Sequence, residues 1–355
     1  MKKIFTTLLT ILLLFCIITP IYAEDSAVYA YTIDEIEGFD NHVKENVGLA
    51  LYAYYGYVDT DITLGNGIFI NESSDYPKVL YPVWKRENIV GSYVVARNNG
   101  TYSGSYSEGH ANVLNSIKEK VSIDNPLKLV KEQDYLYVVL GEEVYDIHGI
   151  PSERVDVEIN ANNEEELSII NIKESLVYDK LILSRAPTSF TNNFTVYHSN
   201  PSDDFNCYAY CLSNILRNLG YSKYTYTYVK NNCTNELGVT GGNMNVASIR
   251  NFLTNEGFSY GSSSSSYLSP SQVRTAIYSN DNYIMMGLRF TEKSGDHYAI
   301  MYGYASSGSA TVYTLWDPRS SSGTRHTMES SSLKYTNTRL EELEWSKGYF
   351  INFNK

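Results

Sequence analysis

The chain has 355 residues, 43% of them hydrophobic and 19% charged, with 23 Gly and 9 Pro. This excludes a collagen, a low-complexity chain and a wholly disordered one, and the length suffices for two cored domains. A formal charge of −12 argues against a nucleic-acid partner, because phosphate binding relies on clustered Lys and Arg.

Residues 1–23 read as a signal peptide. Lys2 and Lys3 form a positive start, Leu8 to Ile18 is apolar, Pro20 breaks the run, and Ile21-Tyr22-Ala23 ends on a small residue fit for cleavage. The apolar run is too short to span a bilayer comfortably. Leu14-Phe15 before Cys16 is a poor lipidation context. The expectation is a secreted protein with no membrane attachment once the signal is removed. Three cysteines then remain, Cys207, Cys211 and Cys233. An odd count leaves at least one thiol free, and no His/Cys spacing suggests a metal. No cofactor is expected.

Residues 24–190 read as a small α+β unit. Val43 to Tyr57 carries apolar residues at helical spacing. Strands are predicted at Gly67–Ile70, Val79–Trp84 and Ile89–Arg97. Asn98-Asn99-Gly100 is a strong hairpin turn, since Asn and Gly accept positive φ, and Tyr102–Tyr106 is the return strand. A helix at Ala111 to Val121 follows, then strands at Leu127–Val130 and Tyr135–Val139 about a turn at Gln133-Asp134. A polar connector from 151 to 190 holds one or two strands, at Ser168–Ile172 and Leu181–Leu183. His42, His110 and His148 are scattered and read as surface or turn residues. The 33 tyrosines favour a strand-rich protein.

Residues 191–355 follow a different pattern. From Asn206 to Gly220, apolar residues fall at Tyr208, Leu212, Ile215 and Leu219, after the acidic stretch Ser202-Asp203-Asp204. This predicts a helix with Cys207 at its N-terminus and Gly220 as its stop. Further helices are predicted at Val246 to Glu256 and from Ser269-Pro270 to about Ile277, with a Ser-rich surface loop, Gly261 to Ser266, between them. Strands follow at Tyr283–Phe290, His297–Tyr304, Thr311–Trp316 and Gly348–Phe353. Helices before an antiparallel sheet give an α+β order.

A thiol at a helix N-terminus meets unpaired N–H groups and the positive end of the dipole, which favour the thiolate. His297 starts one strand and Asp317 ends the next. Antiparallel neighbours joined by the Ser306–Ser309 turn would bring the two to one sheet end, where a carboxylate orients an imidazole that activates a thiol. Cys211 sits one turn deeper in the helix. With Cys207 set aside, Cys211 and Cys233 are a possible disulfide pair, or Cys211 is a small buried hydrophobe. His198 and His326 lie in polar sequence and read as surface residues.

The Cys-headed helix Asn206–Gly220, the histidine strand Asp296–Tyr304 and the turn Trp316-Asp317-Pro318 together resemble the papain-like cysteine peptidases in their compact bacterial forms, the staphopains and bacteriocin-leader peptidases. The resemblance covers the second unit alone. It implies a papain-like domain with a helix-borne Cys packed on an antiparallel sheet. It also implies Cys207 as nucleophile, His297 as general base and acid, Asp317 as the orienting carboxylate, and a protein or peptide substrate. Many exported members are made as zymogens, which would make residues 24–190 a prodomain, the enzyme's own inhibitor. The family usually has a Gln about six residues before the nucleophile, for the oxyanion hole. Here that position is Pro201, and the only glutamines are Gln133 and Gln272. Asn200 is the nearest side-chain amide, and the backbone N–H of Cys207 would be the other donor.

Other readings stay open. A cell-wall amidase of the NlpC or CHAP kind shares the Cys-on-helix and His-on-strand arrangement, though its Cys usually stands in an Asp-Cys-Ser-Gly-like context and its His follows sooner. A transglutaminase-like enzyme shares the Cys, His, Asp order with a shorter gap. A secreted, non-enzymatic binding protein would suit the Tyr- and Ser-rich surface.

Overall fold

A computed structural model describes residues 33–146 and 188–353, apart from positions 58, 60, 72–75, 123–124, 126, 133–134, 200–205, 236, 242–243, 262–266 and 321–323. The signal peptide, both strands of the 151–190 connector, the Gln133-Asp134 turn, most of the Ser-rich loop, His148 and Asn200 lie outside the described residues.

The architecture is mixed α+β, with a large and mostly antiparallel sheet. It opens with helix α1 (Ile33–Tyr55), which begins ten residues before the expected Val43 because Phe39 continues the apolar stripe of Val43, Val47, Leu51 and Tyr54. Strands β1 (Ile62–Leu64), β2 (Ile68–Asn71), β3 (Lys78–Lys85), β4 (Asn88–Asn98) and β5 (Thr101–Ser107) follow, then helix α2 (Ala111–Ile117) and strands β6 (Leu127–Glu132), β7 (Tyr135–Leu140) and β8 (Glu143–Asp146). The β4–β5 hairpin turns on Asn99 and Gly100, with φ of 51° and 77°. Positive φ at both central residues matches the right-handed strand twist.

After β9 (Thr188–Thr191) come helices α3 (Cys207–Asn218), α4 (Tyr226–Asn232) and α5 (Val246–Asn255), the short strand β10 (Tyr260–Gly261) and helix α6 (Pro270–Arg274). Strands β11 (Ile284–Phe290), β12 (Asp296–Ser307), β13 (Ala310–Trp316), β14 (Arg325–Glu329), β15 (Lys334–Thr336) and β16 (Glu342–Phe353) complete the chain. The main strand order is β10-β16-β11-β12-β13-β14-β5-β4-β3-β2-β6-β7-β8. The strands of both halves of the chain therefore run on side by side. Their meeting edge is β14 against β5, where His326 stands opposite Ser107.

The cores remain largely separate across that edge. One core joins α1 to β3, β4 and β5 and takes only Ala305 and Val312 from beyond residue 190; another, around α2 and β6–β7, takes only Leu340. The junction itself is polar. Glu329 accepts a hydrogen bond from Tyr93 Oη at 2.6 Å and lies 3.1 Å from His42 Nε2. Glu342 accepts from Ser103 Oγ at 2.7 Å and Asn98 Nδ2 at 3.1 Å. Glu292 takes Lys78 and Lys131, each at 2.6 Å.

Two histidines depart from the sequence expectation. His110 and His326 read as surface residues but are 2% and 0% exposed, because β14 is an interior strand between β13 and β5 and α2 packs beneath the junction.

Candidate active site

Helix α3 places Cys207. Tyr208, Leu212, Ile215 and Leu216 on this helix are fully buried against Tyr298, Ile300, Trp316 and helices α4 and α5. Each such side chain contributes about 1.5–3 kcal/mol when buried. The N-cap residue Asn206 makes no side-chain cap, a bond worth about 1 kcal/mol where present. Packing, not capping, therefore fixes the start of the helix, and the first-turn N–H groups are left uncapped by that side chain. The other end closes as expected: Gly220, at φ 96°, donates to Arg217 O, and Tyr221 donates to Leu216 O.

Strands β12 and β13 place the other two groups. Their register pairs Ile300 with Trp316, so continuing it puts Asp317 opposite Ala299, and His297 lies two residues further along on the same face. His297 Nε2 and Asp317 Oδ1 are 2.7 Å apart. With Nε2 committed to the carboxylate, Nδ1 is the ring nitrogen left for the Cys207 side chain, which lies near enough to help raise the histidine's pKa. His297 and Asp317 are buried, whereas Cys207 is partly exposed.

The carboxylate is held at both oxygens. The backbone N–H of Arg319 donates to Oδ1 at 2.8 Å and the Tyr335 hydroxyl donates to Oδ2 at 2.9 Å. Burial opposes charge on Asp317, yet His297 above all, with His326 and the Arg319 N–H, holds its carboxyl well below the usual range. Burial likewise opposes charge on His297, but the Asp317 carboxylate and then Cys207 raise its pKa to about 10. Burial and the neighbouring carboxylate push the Tyr335 hydroxyl well up, so it stays a donor. The Phe290 ring lies 5.9 Å from the imidazole and covers it.

Tyr335 and Phe290 were not singled out by the sequence. Tyr335 lies on a three-residue strand with no periodicity to mark it. Phe290 could have been found by pairing the two predicted strands, since Leu288 stands opposite His297. His326 shares the region: its ring lies 5.6 Å from Tyr335, and its Nε2 is 2.6 Å from Ser320 Oγ.

Among the described residues no disulfide forms; Cys211 and Cys233 are both buried and free. Burial pushes the Cys211 thiol well up and that of Cys233 to about 12, the behaviour of inert core thiols. Of the three, Cys207 alone combines exposure with a base. Among the described residues no cluster of His, Cys, Asp or Glu could hold a metal ion, and no described helix is long and apolar enough to cross a membrane. Compared with known proteins, the chain matches no family model and no curated protein.

Proposed function

We propose that this protein is a secreted cysteine endopeptidase of papain-like type, made with an inhibitory prodomain over residues 24–190. The observation that carries the reading is the relay from Cys207 through His297 to Asp317, with the carboxylate itself held by Tyr335 and Arg319. A partly exposed thiol backed by a buried, oriented imidazole suits acyl transfer.

In this mechanism Cys207 Sγ attacks the carbonyl carbon of a peptide bond, and the proton shared with sulfur resides on His297 Nδ1. The carbonyl oxygen gains the negative charge and is stabilised by the Cys207 backbone N–H, with Asn200 as the candidate second donor. Collapse of the tetrahedral species breaks the C–N bond, and His297 protonates the departing amine. Water, deprotonated by His297, then attacks the thioester, the C–S bond breaks and the acid product leaves. Asp317 keeps Nε2 paired throughout and stabilises the imidazolium.

An epoxide thiol inhibitor tests the reading directly. Peptide mapping should find the label on Cys207 and not on Cys211 or Cys233. Cys207→Ala and His297→Ala should each abolish casein hydrolysis, while Cys211→Ala keeps most of it. Label on Cys211, or hydrolysis by Cys207→Ala, would overturn the assignment.

A further inference from the structure

A cavity of about 380 Å³ opens between the end of α4, the loop that follows it and one face of α5. That is the size of a small-ligand site. It shares no lining residue with the Cys207, His297 and Asp317 set. None of the residues that line it is charged: four are Asn, two are Thr, and Phe252 is the apolar remainder. In a chain of formal charge −12 with 19% charged residues, a wall of amides and hydroxyls alone is a distinct chemistry.

Two of the amides are set in place. Asn232 Nδ2 donates to Tyr228 O at 2.8 Å, which leaves its Oδ1 as an acceptor. Asn235 Oδ1 accepts from the backbone N–H groups of Leu237 and Val239 at 2.9 and 3.0 Å, which leaves its Nδ2 as a donor. A bridge between Thr234 and Thr240 closes the base of that loop, and Cys233, at its start, is fully buried. The other two amides stand on α5 at Asn251 and Asn255, four residues apart and so on one face. Both are exposed, and among the described residues their side chains make no hydrogen bond. Asn is a poor helix former, because its side chain competes for the backbone. Two of them left unengaged on one helix face do nothing for the fold. Phe252, between them in sequence and 5% exposed, gives the cavity an apolar floor.

We infer that this cavity binds a neutral saccharide. Each sugar hydroxyl both donates and accepts, and so matches amides that present acceptors and donors side by side. The C–H face of a sugar ring suits the apolar floor. No lysine or arginine lines the cavity to hold a phosphate, sulfate or carboxylate, and no carboxylate lines it to hold a cation or a basic peptide. A peptide groove would need apolar pockets for side chains, and Phe252 is the single apolar lining residue. Asn232 and Asn235 are ordered beforehand, which lowers the cost of binding. The inference does not depend on the peptidase reading.

The test uses the full secreted chain and ligand-observed NMR with tetramers of N-acetylglucosamine and of glucose, both uncharged. One of them should bind with a Kd around 1 mM, since each hydrogen bond to the protein replaces one to water. Asn251→Ala combined with Asn255→Ala should weaken that binding by roughly tenfold. Both sites are exposed and outside the catalytic set, so the thermal midpoint and the rate of epoxide labelling at Cys207 should stay unchanged. Retention on insoluble chitin that the double variant lacks would show that the saccharide is taken from a polymer surface; tetramer binding without retention would show a soluble glycan. Failure of both tetramers to bind, or equal binding by the double variant, would overturn the inference and leave the peptidase reading intact. If the double variant instead raises KM for casein while neither tetramer competes, the cavity holds peptide and the inference fails.

Discussion

Asp317 carries more of the site than its place at a strand end suggests. It is fully buried, and four groups converge on it: the His297 ring, the Tyr335 hydroxyl, the Arg319 N–H and, at longer range, His326. Its charge lifts His297 above the ordinary imidazole value, against the opposing effect of burial. The sign of a pH prediction follows. The imidazolium is kept to higher pH than in a free histidine, so on the proposed peptidase mechanism the basic limb of the kcat/KM profile should lie above 6.5. Asp317→Asn removes the larger of the two influences that oppose burial and leaves only Cys207, so that limb should move to lower pH, with a loss of about 10²–10⁴-fold at neutral pH. Tyr335→Phe removes one hydrogen bond and keeps the carboxylate, so it should cost less and leave the limb high. A pH–rate series on the two variants checks both. These residues also show what was legible. Cys207, His297 and Asp317 each stand at the end of a strongly patterned element. Tyr335 and His326 reach the site through strand neighbours that no local pattern announces.

At the scale of elements, legibility followed locality. Helix α3 and the β4–β5 hairpin were readable because spacing and turn chemistry lie within a few residues. Helix α4 was missed, since Tyr226-Thr227-Tyr228-Val229 is aromatic and β-branched; the Thr225 cap, which accepts from Tyr228 N, and burial of Val229 make it a helix nonetheless. The first half of β16 was missed because Glu342 and Glu344 look like surface. Glu342 is 1% exposed and finds Ser103 and Asn98 far away in sequence. The tightest such meeting is at Gly104 on β5, where an added Cβ would lie 1.9 Å from Tyr93 Oη and 2.5 Å from Glu329 Oε1. Gly104→Ala should therefore break the Tyr93–Glu329 bond and cost about 1–3 kcal/mol, as overpacking does. A denaturant titration would show it as a lower midpoint; an unchanged midpoint would mean the junction yields freely.

At the scale of the molecule, the β5–β14 junction governs how the two halves part. Two buried histidines stand at it. His110 bonds Ser92 Oγ and Thr338 O, and His326 faces Ser320, Tyr335 and Asp317. Burial lowers each from 6.5 to about 4. A depressed histidine contributes stability that is complete above 6.5 and is lost as pH falls toward 4, about 3 kcal/mol apiece by linkage. Chain cut within residues 147–187 should therefore elute as one complex at pH 7 and as two pieces near pH 4. His110→Asn should move that separation to lower pH. Co-elution at pH 4 would show that apolar contact, not the polar junction, holds the halves together. Once β5 has gone, β14 is a bare strand edge, the kind of surface that recruits a neighbouring chain. Glu329 at the end of that strand then loses the Tyr93 hydroxyl, and Glu342 nearby loses Ser103 and Asn98 while keeping Thr291. The carboxylates that fasten the closed molecule thereby become gatekeepers of the open one, each a like charge facing any second copy that tries to add its own strand.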